Sequence, residues 1–337
     1  MNPLQIVKPL RWNKGVPTED KVVIEIPARV INDCLDFMFS PPGMIPRLPS
    51  VSSWVDSWKR MLSQAPGFVC LRCSLSDLTD QELRLVYAII AQSIGPLNHR
   101  YGEFFDVKDH GLDHTKSPVP ISKTRACSGF HTDSSALEYS PEVVGLLCLH
   151  PGFQGGESLL ANAADLYYWL CEQHPERLFP LSRPAKRDVI TPGSVQNTAE
   201  IDRNEFPIFQ LDHRGLHFRY MRFWITTAYQ KLKRPMPEGL LDAMDHIDRF
   251  LDNDTHVFSR KLDRGEILFV NNRHLCHSRT AFSDRNNGAP PRTLVRTWID
   301  HIASTTSFTP KTVGRYRNSN GVLNQKTPTT TSANTLG

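Results

Sequence analysis

The sequence predicts a mostly β fold with flanking helices: a double-stranded β-helix (jelly roll) core interrupted by a helical insertion. Three observations lead there. Short apolar, β-rich runs lie between clusters of Pro, Gly, Asn and Asp. Helical periodicity is confined to stretches before and between those runs. No strand–helix unit carries a glycine-rich phosphate loop, which argues against a dinucleotide-binding fold. Many short strands with helices gathered before and between them fit an antiparallel double sheet closed into a barrel.

Taken in chain order, "GFVCLRCSL" from Gly67 reads as a buried strand, and "DQELRLVYAIIAQSIG" (80–95) as an amphipathic helix. The strand "VVGLLCL" (143–149) is followed by the helix "NAADLYYWLCEQH" (162–174). Next come the strands "FPIFQLD" and "LHFRYMRF", whose Phe218, Tyr220 and Phe223 read as core, and the helix "EGLLDAMDHIDRFLDN" (238–253). The strands "EILFVNN" and "TLVRTWID" close the series. This gives one domain over 1–309, with core strands from about 95 to 300. A helical insertion over about 162–263 is placed to form a lid. Residues 310–337, rich in Thr, Asn, Ser and Gly, are expected to be a disordered tail.

With 39% hydrophobic and 22% charged residues the chain can bury a sizeable core. A net charge of +4, scattered along the chain, gives nucleic acid nothing to bind. No stretch has the apolar length of a membrane span, and the first residues do not read as a signal peptide, so no membrane partner is expected. The cysteine count is odd, at seven. Cys70 and Cys73 form a C-x-x-C, but no second pair lies at zinc-site spacing, so reduced thiols in a cytoplasmic protein are expected.

The chemistry concentrates in "SGFHTDSSALEYSPEVVGLLCL". His131 and Asp133 stand one residue apart ahead of a strand-like run, and in extended chain such residues project to the same side. An imidazole and a carboxylate so placed can share one metal ion; the competing reading is a His–Asp hydrogen bond closing a turn. A second His-x-Asp, at His246 and Asp248, falls in a helical stripe where residues two apart diverge, and reads as a solvated face. A third ligand would come from "EILFVNNRHLCHSRTAF", which offers both His274 and His277. Two imidazoles and one carboxylate on one face leave three open positions, a set that suits non-haem Fe(II).

The strand "PRTLVRTWID" adds a charge argument. At period two, Arg292, Leu294, Arg296 and Trp298 share a face. Two arginines beside Leu and Trp belong in a core only where anions meet them, unless the strand is an edge. They stand about 13 Å apart at strand rise, and a guanidinium fork suits a carboxylate.

On these residues the chain resembles the taurine dioxygenase-like family of Fe(II)- and 2-oxoglutarate-dependent oxygenases, which includes γ-butyrobetaine hydroxylase. The likeness runs from about Gly95 to Asp300. "FHTDSS" is similar to the family's His-x-Asp segment and "NNRHLCHSRTAF" to its Asp-Asn-Arg stretch ending in the second histidine. The resemblance thus implies His131, Asp133 and His277 as metal ligands, with His277 chosen over His274. "GGES" resembles the family's Gly-Gly-acid-hydroxyl turn, which implies Ser158 and Arg292 on the distal carboxylate of 2-oxoglutarate. Arg296 matches an arginine that meets either the substrate's anion or the co-substrate. "PLNHRYGEFFDVKD" resembles the entrance region, more loosely. Asn271 departs from the family's usual aspartate, which removes a charge but no ligand.

The implied reaction uses Fe(II), 2-oxoglutarate and O2 to hydroxylate, or otherwise oxidise, a C–H bond of a small metabolite, such as an amino acid, free or tethered to a carrier protein. Halogenating members replace the carboxylate with a small residue; Asp133 is present, which implies oxygenation. A homo-oligomer is left open. Two rival readings are a cupin-type metalloenzyme without 2-oxoglutarate and a non-catalytic jelly-roll binding module. Neither accounts for Ser158 and Arg292 following the His-x-Asp pair in this order.

Overall fold

A computed structural model describes residues 3–39, 48–75, 77–100, 102–112, 121–188, 198–212, 214–284 and 288–303. The stretch 310–337, expected as a disordered tail, lies outside the described residues.

Two sheets carry the architecture. Their strands are β1 (Val23–Glu25), β2 (Phe68–Arg72), β3 (Phe105–Lys108), β4 (Val143–His150), β5 (Ser158–Asn162), β6 (Val257–Arg260), β7 (Ile267–Asn271), β8 (Leu275–Arg279) and β9 (Thr293–Ile299). The larger sheet runs β1-β2-β7-β4-β9-β3, antiparallel except for the parallel β1–β2 pair. The smaller runs β6-β5-β8, antiparallel throughout.

Period-two alternation places the larger sheet between two apolar layers. Phe68, Cys70, Leu268, Val270 and Leu294 point inward and pack with Leu160, Phe258 and Leu275 of the smaller sheet. Val69, Leu71, Ile267, Phe269 and Val295 point the other way. That outer face is covered by α1 (Ala28–Asp36), α2 (Pro49–Trp58) and α3 (Asp80–Ile94). On the far side of the smaller sheet, Ala161 and Cys276 join a separate core built with α4 (Ala163–Gln173), α5 (Arg222–Leu232) and α6 (Leu240–Leu251). The molecule is thus a β-rich core of two facing sheets held between helical layers.

The helix ends follow local chemistry. Thr79 caps α3 in a capping box: its hydroxyl accepts from the Glu82 amide, and the Glu82 carboxylate accepts from the Thr79 amide. The Asn162 side chain accepts from Ala164 N and starts α4. No described helix is long and apolar enough to cross a membrane.

Several expectations are corrected. The larger sheet begins well before residue 95, because β2 is inserted between β1 and β7. The expected strand 216–223 stops at Phe218, and α5 begins at Arg222. Helical periodicity then turns Ile225 inward and leaves Phe223 55% exposed rather than in the core. His246 and Asp248 are not a solvated face. His246 is 7% exposed and packs on His174 and Trp169, because α4 covers that side of α6. Asp248 accepts from the Tyr220 hydroxyl at 2.5 Å and from Arg222 at 2.6 Å.

Thr79→Ala is expected to destabilise the fold by about 1 kcal/mol through loss of the cap. Urea denaturation will read this as a lower midpoint at unchanged slope, with the inter-sheet region unaffected.

Candidate metal centre

Backbone pairing brings His131 to His277. The amide of each donates to the carbonyl of the other, both at 2.9 Å, so His131 forms a one-residue bridge on the free edge of β8. His277 lies inside β8, a strand that follows β7 after a short turn. The two rings stand 4.4 Å apart. His131 Nδ1–H donates to the Gly129 carbonyl at 3.0 Å, which leaves Nε2 with its lone pair free. Asp133 Oδ1 is 3.6 Å from Nε2 of both histidines. One ligand atom from each of the three residues falls within 4.8 Å of the others.

After His131 the chain does not run directly into a strand. It turns through Ser134, at φ +57°, and β4 begins only at Val143. Two buried arginines hold the turn by its carbonyls: Arg187 donates to Ser135 O at 3.2 Å, and Arg219 to Leu137 O and Glu138 O at 2.5 and 2.9 Å. Neither was singled out from sequence, because a carbonyl partner leaves no mark in residue types.

Asp133 is fastened at both backbone and side chain. Asn272 Oδ1 accepts from its amide at 2.8 Å, and Asn272 Nδ2 donates to its carbonyl at 3.0 Å. Trp298 Nε1 donates to Oδ2 at 2.6 Å, with Arg296 Nη1 at 3.3 Å from the same oxygen. Burial opposes the charge of Asp133, yet Arg296 and the two histidines outweigh it and hold the carboxyl well below the usual range. Burial, then the neighbouring His131, keeps His277 below the ordinary imidazole value, as a neutral ligand requires. Asn271 has its own explanation. Its Nδ2 donates to Leu62 O at 2.9 Å while its Oδ1 accepts from Arg273 N at 2.8 Å, and an aspartate could not make the first bond.

The cluster opens into a cavity between the sheets, walled by Val144, Leu146, Leu160 and Leu294, with Ser158 and Arg292 among its polar lining. Arg292 is 2% exposed. Its Nη2 donates to Gly156 O at 3.2 Å, Phe282 lies 4.9 Å from its Cζ, and its buried Nη1 has no partner among the described residues. The second glycine of the Gly-Gly turn makes room for this arginine: at Gly156, φ +81°, a Cβ would meet Arg292 Nε at 2.7 Å, whereas at Gly155 it would strike the Ala281 carbonyl. Sequence reasoning missed Arg279, which lies on the cavity wall. It donates to Thr124 O at 2.9 Å and also to Ala126 O, fixing the segment that leads to His131.

The remaining candidates part company with the cluster. His274 lies away from it, 3% exposed beneath Gly67, where a Cβ would meet its Nε2 at 2.6 Å. Arg296 reaches the Asp133 carboxylate. Val107 of the expected entrance region does line the cavity, whereas no described residue of the expected insertion, 162–263, does. The helices of the insertion are instead packed behind the smaller sheet.

Two facing sheets that converge two imidazoles and a carboxylate, beside a cavity with a buried guanidinium, present a donor set of the class that suits non-haem Fe(II). Residues 45–298, well over half the chain, match the family described as taurine catabolism dioxygenase TauD, TfdA family, and the chain belongs to that family. It is 25% identical to FR-33289 synthase of Streptomyces rubellomurinus over 231 residues, 66% of this chain and 65% of that one. It is also 25% identical to uridine-5'-phosphate dioxygenase of an Amycolatopsis species over 233 residues, 66% of this chain and 81% of that one. Dioxygenase str8 of Strobilurus tenacellus is 23% identical over 185 residues, 55% of this chain and 41% of its own length. The chain therefore spans less than two thirds of two of these relatives. Among solved structures, asparagine oxygenase with Fe(II), 3-hydroxyasparagine and succinate superposes at a TM-score of 0.62 with 17% identity, over 82% of this chain and 93% of that one. The oxygenase OrfP with Fe and alpha-ketoglutaric acid gives 0.60 with 13% identity over the same shares, a likeness of fold.

Burial sets a pH dependence of stability. It holds His274 and His217 at about 3, against 6.5 for free imidazole. The folded protein keeps both neutral while the unfolded chain protonates, so the unfolded state binds more protons below pH 6.5. Stability should fall as pH drops from about 6.5 toward 3, by up to about 1.4 kcal/mol per pH unit for each histidine. Urea midpoints at pH 7 and pH 5 check this, and a flat profile would contradict it.

Proposed function

We propose that the protein hydroxylates a C–H bond of a small metabolite, using Fe(II) held by His131, Asp133 and His277 and 2-oxoglutarate anchored by Arg292 and Ser158. The observation that carries this reading is the unpaired Nη1 of buried Arg292, in the same cavity as three ligand atoms within 4.8 Å of one another. A buried guanidinium without an acid is costly, and the distal carboxylate of a dicarboxylic acid would satisfy it. The donor set fits the metal, since two neutral imidazoles and one carboxylate are a facial set that suits Fe(II). We read the two-sheet core as a double-stranded β-helix, the form in which such ligands converge at one end.

Bound there, iron with 2-oxoglutarate and O2 supplies the oxidising chemistry, in which the co-substrate leaves as succinate and carbon dioxide. The protein's own residues do the rest. Arg292 and Ser158 neutralise and orient the far carboxylate, and the walls at Val144, Leu146, Leu160 and Leu294 exclude water. Asp133 occupies the position that halogenating relatives leave empty, which supports oxygen insertion. For the substrate we favour an amino acid, free or carrier-tethered; structures of this fold have been solved with hydroxylated asparagine and arginine. All seven cysteines are free, which supports a reducing, cytoplasmic setting.

Anaerobic protein given Fe(II) and 2-oxoglutarate should show a visible charge-transfer band. His131→Ala should abolish it, and Arg292→Ala should weaken 2-oxoglutarate binding about 10- to 100-fold, as loss of a charge-assisted hydrogen bond of about 1.5–3 kcal/mol implies. No band in the wild type would refute the reading.

A further inference from the structure

The two oxygens of Asp133 are treated differently. Oδ1 stands 3.6 Å from Nε2 of each histidine, whereas Oδ2 takes the Trp298 indole N–H at 2.6 Å and Arg296 Nη1 at 3.3 Å. Both donors come from one face of β9, two residues apart, so the strand's period aims them at the same oxygen. Arg296 also lies 4.8 Å from the Trp298 ring, which makes carboxylate, guanidinium and indole one packed unit. Asn272 already fixes the backbone of Asp133 on both sides, so the carboxylate has little freedom left.

Building on the iron reading above, we infer that Trp298 is a positioning residue that keeps Asp133 a one-oxygen metal ligand. A carboxylate free to rotate can bind through both oxygens and would then occupy a position that the co-substrate or dioxygen needs. With Oδ2 tied to the indole, only Oδ1 is presented, and three positions stay open. Arg296 is committed to the same oxygen and balances its charge, so its partner is the ligand carboxylate rather than an anion of the substrate. Groups that orient ligands in this way change metal affinity about 10- to 100-fold when removed.

The test compares two variants with Co(II) as the probe. Trp298→Phe keeps an aromatic ring but loses the N–H. Trp298→His places an imidazole where the five-membered half of the indole was, with Nε2 standing in for Nε1. Co(II) affinity is measured by titration, and the visible Co(II) spectrum reports coordination number. Trp298→Phe should bind Co(II) at least about 10-fold more weakly, with a visible spectrum changed from that of the wild type as the second carboxylate oxygen enters the ligand set. Trp298→His should recover both affinity and spectrum. If Trp298→Phe does not fold, the His variant decides alone: wild-type affinity and spectrum support the inference, and their loss overturns it. If the wild type binds one ion and the Phe variant matches it in both readouts, the inference fails while the iron reading stands. A wild type that binds no metal removes both.

Discussion

Two backbone hydrogen bonds between His131 and His277 hold the centre together, and most of the surrounding structure is arranged to keep them in place. They join segments that are remote in sequence and set two imidazoles side by side, tilted by 53°, at the opening of the inter-sheet cavity. Unless that pairing register holds, Asp133 has no second histidine to face, because a one-residue slip turns a strand side chain to the opposite side. The register is held from both directions. His277 is fixed by the β5–β8 ladder, in which it lies opposite Leu160. The segment before His131 is tied to Arg279, two residues beyond His277 and on the same face of the strand.

Charge follows from the same geometry. The cavity is mostly apolar, yet it contains a carboxylate and three guanidiniums: Arg279, Arg292 and Arg296. Each has a different solution to burial. Arg296 meets Asp133, Arg279 is held by carbonyls, and Arg292 donates through Nη2 to Gly156 O while its Nη1 has no partner among the described residues. Asp133, held below the usual carboxylate range, and His277, held below the ordinary imidazole value, are thus biased toward the deprotonated forms that metal ligation requires.

Much of this could be read from sequence because strand alternation and local spacing carry it. The helix over 80–94 and the strands over 143–150, 267–271 and 293–299 were visible as period or apolar runs, and Arg292 and Arg296 as charges on an apolar face. What was missed has a common cause. β5, β6 and β8 lack the continuous apolar run of β7, and their partners are supplied by tertiary pairing rather than by their own pattern. Arg187, Arg219 and Arg279 bind carbonyls, which leave no trace in a string of residue types. Asn272 was noticed as part of a landmark, but its double hold on the Asp133 backbone needs a three-dimensional neighbour. Phe223 and His246 show the converse: residue type suggested one environment, and the helix against which each lies, or fails to lie, decided another.

The three ligands rest on supports of unequal strength. His277 sits mid-strand in a laddered sheet, whereas His131 is held by two isolated bridges, to His277 and Met221, and Asp133 by a turn whose carbonyls are held by side chains. Opening the centre therefore costs only the contacts of residues 128–138, a fraction of the global unfolding free energy, because β5, β6 and β8 can stay paired while that flap lifts. An ion ligated by all three side chains would tie that segment to the laddered strand and add its binding free energy to the weaker support.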